Sequence, residues 1–349
     1  MGFAVKNFKI TDVARLAGVS PATVSNVING RHERMSGDTF ERVREVVEQL
    51  GFRPNAMARQ LKTGNLPMLG LLVPSIANPF FGSLAREVEE AARKRGYGLL
   101  LCNSRRDAER ELEYADALLA QGVRGVILGA ALRAQEHLPK LRERGLAVLG
   151  FDRHDADGAP TIDTVSIDNF KAAYLATKHL CGLRHRSLVY VTGALTSANR
   201  VARLEGFQAA CAKHGVQAEV REIEAAKLFS DEEMAQGGKV AGERLVAEGH
   251  PATGVVAMND MAAIGAIAGL HAGGRVVPTQ MSVIGIDDVF LAAYCLPGLS
   301  TVHQPLPEMA ESAVAQLIAR IGDPQLPISQ KLFQPKLMLR GSTAKPGKP

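Results

Sequence analysis

Thr11-Asp12-Val13-Ala14-Arg15-Leu16-Ala17-Gly18-Val19-Ser20-Pro21-Ala22-Thr23-Val24-Ser25 packs two helix starts into fifteen residues. Thr11 is a capping residue type, and Val13, Leu16 and Ala17 follow at i, i+3, i+4 spacing, which predicts a short helix with one apolar face. Gly18 suits a turn, and Val19 points back to the core. Ser20 caps a second helix with Pro21 at its first position, where a missing N–H costs nothing. Val24, Val27 and Ile28 form its inner stripe, so Pro21, Ala22, Ser25, Asn26 and Asn29 face outward. Phe40, Val43, Val46, Val47 and Leu50 mark a third helix that stops at Gly51. Two short helices around a tight turn, closed by a third, make a helix-turn-helix. An outward face of small side chains and amides suits close approach to base edges in a major groove.

Charge supports that reading. Residues 1–64 carry ten Lys/Arg against six Asp/Glu, so they hold +4 of the chain's net +5 and the rest is nearly neutral. A basic head on a neutral body points to a polyanionic partner. Next comes Arg53-Pro54-Asn55-Ala56-Met57-Ala58-Arg59-Gln60-Leu61-Lys62. Pro54 ends what precedes it, and Asn55 can cap a helix of about six residues, too short to persist without a partner. Leu61 would be its apolar tip between Arg59 and Lys62. Such a tip suits a wedge into a minor-groove step; the alternative is a plain linker whose leucine packs on the next domain.

The run Thr11–Ser25 resembles the lactose-repressor-type (LacI/GalR) family of transcription regulators, as does Gly51-Phe52-Arg53-Pro54-Asn55-Ala56. The likeness continues to about Arg340. It implies that Pro21, Ala22 and Asn26 read bases, that Thr23, Ser25 and Asn29 touch phosphates, and that Leu61 wedges the DNA, within a hinge that includes Asn55, Arg59 and Lys62. One departure matters: the family most often has arginine where this chain has Asn26. Arginine prefers guanine and Asn pairs with adenine, so the half-site is expected to differ at one base pair.

From Met68 onward, short apolar runs alternate with helical stretches. Candidate strands are Met68–Val73, Tyr97–Cys102, Val123–Leu128, Ala147–Phe151, Ser187–Thr192, Thr253–Ala257 and Ser282–Ile286, with helices such as Phe81–Arg95, Asp107–Gln121 and Arg203–His214 between them. That alternation predicts doubly wound parallel sheets, and the number of strands predicts two lobes. Ligands bind beyond the C-terminal ends of such strands. There the chain places Asn78-Pro79-Phe80-Phe81, Asp152-Arg153, Ser197, Asn199, Arg200 and Arg203, Asn259-Asp260, and Asp287-Asp288. Aromatic rings with carboxylates, amides and arginine suit a small polyhydroxylated ligand. Each has a plainer reading: Asp260 and Asp288 as helix caps, Arg200 as a solvated charge, one of the two phenylalanines as core.

The family likeness implies an effector pocket at Phe80, Phe81, Arg203, Asn259 and Asp287, with Phe229 a further wall and Asp152 and Asp168 secondary. The chain has no tryptophan, and Ser197 and Asn199 depart from the purine-binding members, so a sugar or sugar acid is expected ahead of a nucleobase-like ligand. The likeness also implies a small all-α head, residues 1–53, a hinge, 54–67, and a periplasmic-binding-protein-like body of two lobes, 68–341. The N-lobe would be 68–166 and 304–324, the C-lobe 167–303 and 325–341, with 342–349 a flexible tail. The tail has no apolar heptad, so a homodimer on a near-palindromic double-stranded DNA operator is expected rather than a tetramer.

Other classes fall away on composition. A chain of 349 residues exceeds one compact domain, and 46% hydrophobic with 22% charged residues is a globular balance that excludes wholesale disorder. No apolar run reaches the ~20 residues that span a bilayer, and no signal-like segment opens the chain, so a cytoplasmic protein without a membrane partner is expected. Cys102, Cys181, Cys211 and Cys295 lie far apart, against zinc or disulfide spacing. The competing reading is a sugar-binding protein or sugar-active enzyme with an appended basic domain. Nucleophile elbow, phosphate-cradling loop and metal cluster are all missing, so neither an enzyme nor a cofactor is expected.

Overall fold

The computed structural model describes residues 8–28, 30–31, 35–52, 67–105, 107–129, 138–152, 161–195, 197–223 and 231–347. The chain divides into two compact units, a head within residues 1–66 and a body from 67 to 349.

In the head, α1 (Ile10–Ala17), α2 (Pro21–Ile28) and α3 (Gly37–Leu50) close on a core of Val13, Ala14, Ala17, Val24, Val27, Val43 and Phe52. Helix α1 starts one residue before Thr11, because the Asp12 carboxylate accepts the Lys9 backbone N–H at 2.9 Å and fixes the first turn there. Leu16, expected inside, is 59% exposed; Ala14 takes the inner position. Gly18 makes the turn at φ +64°, a left-handed conformation that a side chain would strain. Ser20 Oγ accepts the Thr23 N–H at 3.1 Å, the expected cap of α2. Arg42 Nε donates to the Ala17 carbonyl at 3.0 Å and ties α3 to the end of α1.

The body alternates strand and helix: β1 (Met68–Val73), α4 (Pro79–Arg93), β2 (Gly98–Asn103), α5 (Ala108–Ala120), β3 (Gly125–Gly129), α6 (Leu138–Glu143), β4 (Ala147–Phe151) and β5 (Asp163–Ile167). Then follow α7 (Asn169–Gly182), β6 (Ser187–Thr192), α8 (Ala198–His214), β7 (Gln217–Glu222), α9 (Asp231–Ala247), β8 (Gly254–Ala257), α10 (Asp260–Ala272) and β9 (Ser282–Ile284). The chain ends with β10 (Thr301–His303), α11 (Leu306–Gly322), β11 (Gln330–Phe333) and β12 (Lys336–Met338). One parallel sheet has the order β11-β5-β4-β3-β1-β2, and a second β7-β6-β8-β9, while β10 and β12 form an antiparallel pair. Both parallel sheets are buried on two faces, as the near-continuous apolar runs of β1, β3 and β6 require. Leu71 sits opposite Leu101 and Ile127, and Val255 opposite Val189 and Val283.

Two boundaries differ from expectation. Residues 330–333 were placed in the second lobe but pair with β5 in the first sheet. Arg320, on α11, grips Asp163 with contacts of 2.9 and 3.0 Å and also donates to the Pro324, Leu326 and Pro327 carbonyls, while the Ser329 N–H reaches Asp163 at 2.8 Å. These bonds turn the chain back along β5. The segment from 342 onward does not begin a free tail either. Ser342 is fully buried, its carbonyl accepts the Val283 N–H at 2.8 Å, and Ala344 exchanges hydrogen bonds with Ser282 at 3.0 Å.

Candidate functional site

Two surfaces concentrate the residues singled out above. On α2, Val24 and Val27 are buried, Pro21 and Ala22 exposed, and Thr23, Ser25 and Asn26 half-exposed. The Thr23 hydroxyl lies 2.9 Å from Ser20 Oγ, so it is engaged in the cap. Asn29, Asn55, Arg59, Leu61 and Lys62 lie outside the described residues, as does Phe229.

In the body, a cleft between the two sheets encloses about 60 Å³. It is lined by Phe80, Phe81, Asp152, Ser197, Asn199, Arg203, Asn259 and Asp287, together with Asn78, Arg200, Met234 and Met258. Most of the described ligand candidates thus converge there, whereas Asp168, Asp260 and Asp288 do not line it. Asp168 caps α7 by accepting the Lys171 N–H at 2.8 Å.

Strand ends and helix starts place these groups. Asn78 accepts the Phe80 N–H at 2.8 Å and opens α4, which brings Phe80 and Phe81 to the cleft rim. The two rings meet edge to face at 5.2 Å, and each is only 5% exposed. They offer ring edges and a wall rather than open stacking faces, so both belong to core and cleft together. Ser197 is the residue before α8, yet its hydroxyl makes no cap bond. Asn259 caps α10 through the Ala262 N–H at 2.9 Å, and its amide nitrogen rests on Met234 Sδ at 3.2 Å.

Asp152 ends β4 in a left-handed conformation, φ +50°. Its Oδ1 accepts from Ser166 Oγ at 3.3 Å and Asn169 Nδ2 at 2.9 Å, and its Oδ2 from Asn199 Nδ2 at 2.7 Å. The last of these bonds crosses the cleft from the first sheet's side to α8. Arg203, also on α8, is the hub: Nε donates to Asn169 Oδ1 at 2.7 Å, Nη1 to the Met258 carbonyl at 2.7 Å, and Nη2 to Asp287 Oδ1 at 3.3 Å. Burial opposes the arginine's charge, but Asp287 and Asp152 outweigh it and raise its pKa, so the guanidinium stays protonated.

Asp287 also accepts Gln304 Nε2 at 2.8 Å through the same oxygen, leaving Oδ2 without a hydrogen bond among the described residues. Burial pushes its pKa up to about 6, with Asp152 adding to the shift and Arg203 and Gln304 opposing it. Its φ of +128° is a strained backbone for a side chain-bearing residue, of the kind that clusters where a ligand is held.

Asp260 and Asp288 are not helix caps. Asp260 accepts the Val289 N–H at 2.9 Å and Thr301 Oγ1 at 2.5 Å; Asp288 accepts His303 Nδ1 at 3.0 Å and Arg340 Nη2 at 2.6 Å. Both brace the segment that carries Asp287. Sequence reasoning missed Asn169 and Gln304, which orient Arg203 and Asp287. Each follows a strand, β5 or β10, that was itself not recognised; with those strands placed, the rule of ligands beyond strand ends would have found both. The arrangement offers fixed hydrogen-bond donors and acceptors around a small cavity. No group of three or more potential metal ligands occurs among the described residues. None of their helices is long and apolar enough to cross a membrane.

Comparisons with known proteins match both the head and the body. The family profile for bacterial regulatory proteins of the lacI family matches residues 9–55, and that for a periplasmic binding protein-like domain matches residues 177–343. The ribose operon repressor of Escherichia coli strain K12 is 33% identical over 335 residues, covering 95% of this chain and 98% of the relative. A LacI family transcriptional regulator from Enterococcus faecium, solved with bound ribose, is 30% identical with a TM-score of 0.68, covering 80% of this chain and 99% of that one. The lac repressor dimer bound to operator, 24% identical, shares the fold with a TM-score of 0.84 over 97% of this chain and 100% of its own. With a helix-turn-helix head, a two-lobed parallel-sheet body and this depth of likeness along its length, the chain is a regulator rather than an enzyme and belongs to the lacI family of bacterial regulatory proteins.

Proposed function

We propose that this protein is a homodimeric, ligand-controlled transcriptional repressor that binds a near-palindromic operator through α2 and a neutral monosaccharide through the inter-lobe cleft. The observation that carries the reading is the cleft itself, where Arg203, Asp287, Asp152, Asn199 and Asn259 converge with a free Asp287 oxygen. Paired donors and acceptors on fixed supports suit vicinal hydroxyls. A cavity of about 60 Å³ holds roughly four to six waters, the bulk of a pentose rather than a disaccharide. A sugar acid ranks below a neutral sugar, because its carboxylate would face Asp152 and Asp287. A nucleobase ranks lower still, because Phe80 and Phe81 present little open face. The names of two of the proteins compared, one a ribose operon repressor and one solved with ribose, favour the same class.

Dimerisation is supported by an apolar cluster on one short segment: Phe290, Tyr294 and Leu296 are 61%, 81% and 87% exposed. Large side chains so placed mark an association surface, and a second copy completes a two-fold reader for a palindrome. Operator and effector affinities would be reciprocally coupled.

The test is thermal unfolding with ribose and a panel of monosaccharides, sugar acids and nucleobases. A ligand selective for the folded state raises the midpoint, and the ligand found should then change operator affinity in a gel shift. Arg203→Ala should abolish that response, by tenfold or more in effector affinity, while operator binding persists. If none of these compounds shifted the midpoint, or if Arg203→Ala responded like the parent, the cleft assignment would be wrong.

A further inference from the structure

The second helix of the head is unusual in what it lacks. Pro21-Ala22-Thr23-Val24-Ser25-Asn26-Val27-Ile28 contains no charged side chain. The basic groups described in the head lie elsewhere and several are engaged. Arg15 pairs with Asp12, Arg42 holds the Ala17 carbonyl, and Arg44 pairs with Glu41 and Glu48. Within α2, Val24 and Val27 are core, and Thr23 is tied to Ser20. Beside the half-exposed Ser25 and Ile28, Pro21 and Ala22 are exposed and apolar, and Asn26 is half-exposed one turn after Ala22 on the same face. The Asn26 side-chain amide makes no hydrogen bond among the described residues, so its carbonyl and NH2 group are both available.

We propose that α2 reads its half-site without a guanine contact: Asn26 makes a bidentate pair with one adenine, and Pro21 and Ala22 supply apolar contact beside it. This inference rests on the reading of the protein as a DNA-binding regulator and specifies what the DNA must contain. In a major groove an amide side chain presents one donor and one acceptor, the complement of adenine N6 and N7. Guanine offers two acceptors there and calls for arginine or lysine, which α2 does not carry. The apolar pair suits a thymine methyl group. Division of labour follows: cations flanking α2 supply affinity through phosphates, and an uncharged helix supplies sequence preference.

The experiment is in vitro selection of a random duplex library by the purified full-length protein, with and without ribose, repeated for Asn26→Ala and Asn26→Arg. The parent should enrich a near-palindrome with an A·T pair at one position in each half. Asn26→Ala should lose preference at that position alone, and a site mutated there should bind the parent roughly tenfold or more weakly. Asn26→Arg should enrich G·C at the same position. A parental motif with G·C at the position that Asn26→Ala randomises overturns the inference and leaves the regulator reading intact. So does a motif that both variants leave unchanged. Absence of any enriched motif overturns both.

Discussion

Asp260 is fully buried and accepts two hydrogen bonds, from Val289 and Thr301, with no cation paired to it among the described residues. Burial pushes its pKa up to about 8, and the neighbouring Asp287 and Asp288 charges add to the rise against those two bonds. In the unfolded chain the same carboxyl titrates near ~3.9. Between that pH and about 8 the unfolded chain gives up a proton that the folded chain keeps, so stability declines as pH rises across the window and levels off above it. Asp287, raised to about 6, declines over a narrower span. Asp260→Asn offers one donor and one acceptor, as the neutral acid does: its amide can donate to Thr301 and its carbonyl can accept from Val289. Thermal unfolding midpoints taken from about pH 5 to about pH 9 should therefore fall less steeply for the variant than for the parent. Parallel profiles would show that Asp260 stays ionised in the fold. None of this was visible in the sequence, where Asp260 stood as a ligand candidate or, more plainly, a helix cap beside Asn259.

Helices α9 and α10 illustrate how an element can be hidden. Helix α10, Asp260–Ala272, is rich in Ala and Gly and buried on most of its circumference, so it carries no polar-apolar stripe to read. Its glycines set the distance to α9: a methyl at Gly265 would strike the Ala235 carbonyl, and one at Gly269 the Lys239 carbonyl. Gly265→Ala must push the helices apart and should cost about 1–3 kcal/mol, seen as a lower urea midpoint with unchanged slope. Gly82→Ala, in α4 with open space around the added methyl, should be neutral or stabilising and serves as the control. The strands passed over have their own reasons. Edge strand β7 reads Gln217-Ala218-Glu219-Val220-Arg221-Glu222, half of it charged, and β10, β11 and β12 are only three or four residues long. Such segments become strands by pairing with a neighbour, which local sequence does not specify. The long central strands, apolar throughout, were placed within a residue or two.

At the scale of the whole molecule, the basic head and nearly neutral body imply that DNA affinity is largely counterion release. Operator affinity should fall by roughly a thousandfold between about 50 and about 200 mM salt, measured by gel shift, whereas binding of the proposed effector to the cleft should barely change. A flat salt response would argue against phosphate contacts by the head. The body also shows why lobe boundaries are hard to draw from sequence. After α11 the chain runs along the first sheet as β11, leaves it to pair as β12 with β10, and then docks residues 342–344 beside β9. Long-range partners such as Arg320 with Asp163 dictate those crossings.

Local signals were enough for the head, because capping, a left-handed glycine and apolar spacing act within a few residues, and apolar strand runs marked the ends beyond which most of the cleft candidates lie. What tertiary structure alone decided is which of those side chains face one another. Asn169 and Gln304 became orienting groups, Asp260 and Asp288 became braces, and Leu16 turned outward, because partners distant in sequence determine each side chain's surroundings, and burial then determines which of its polar groups must be paired.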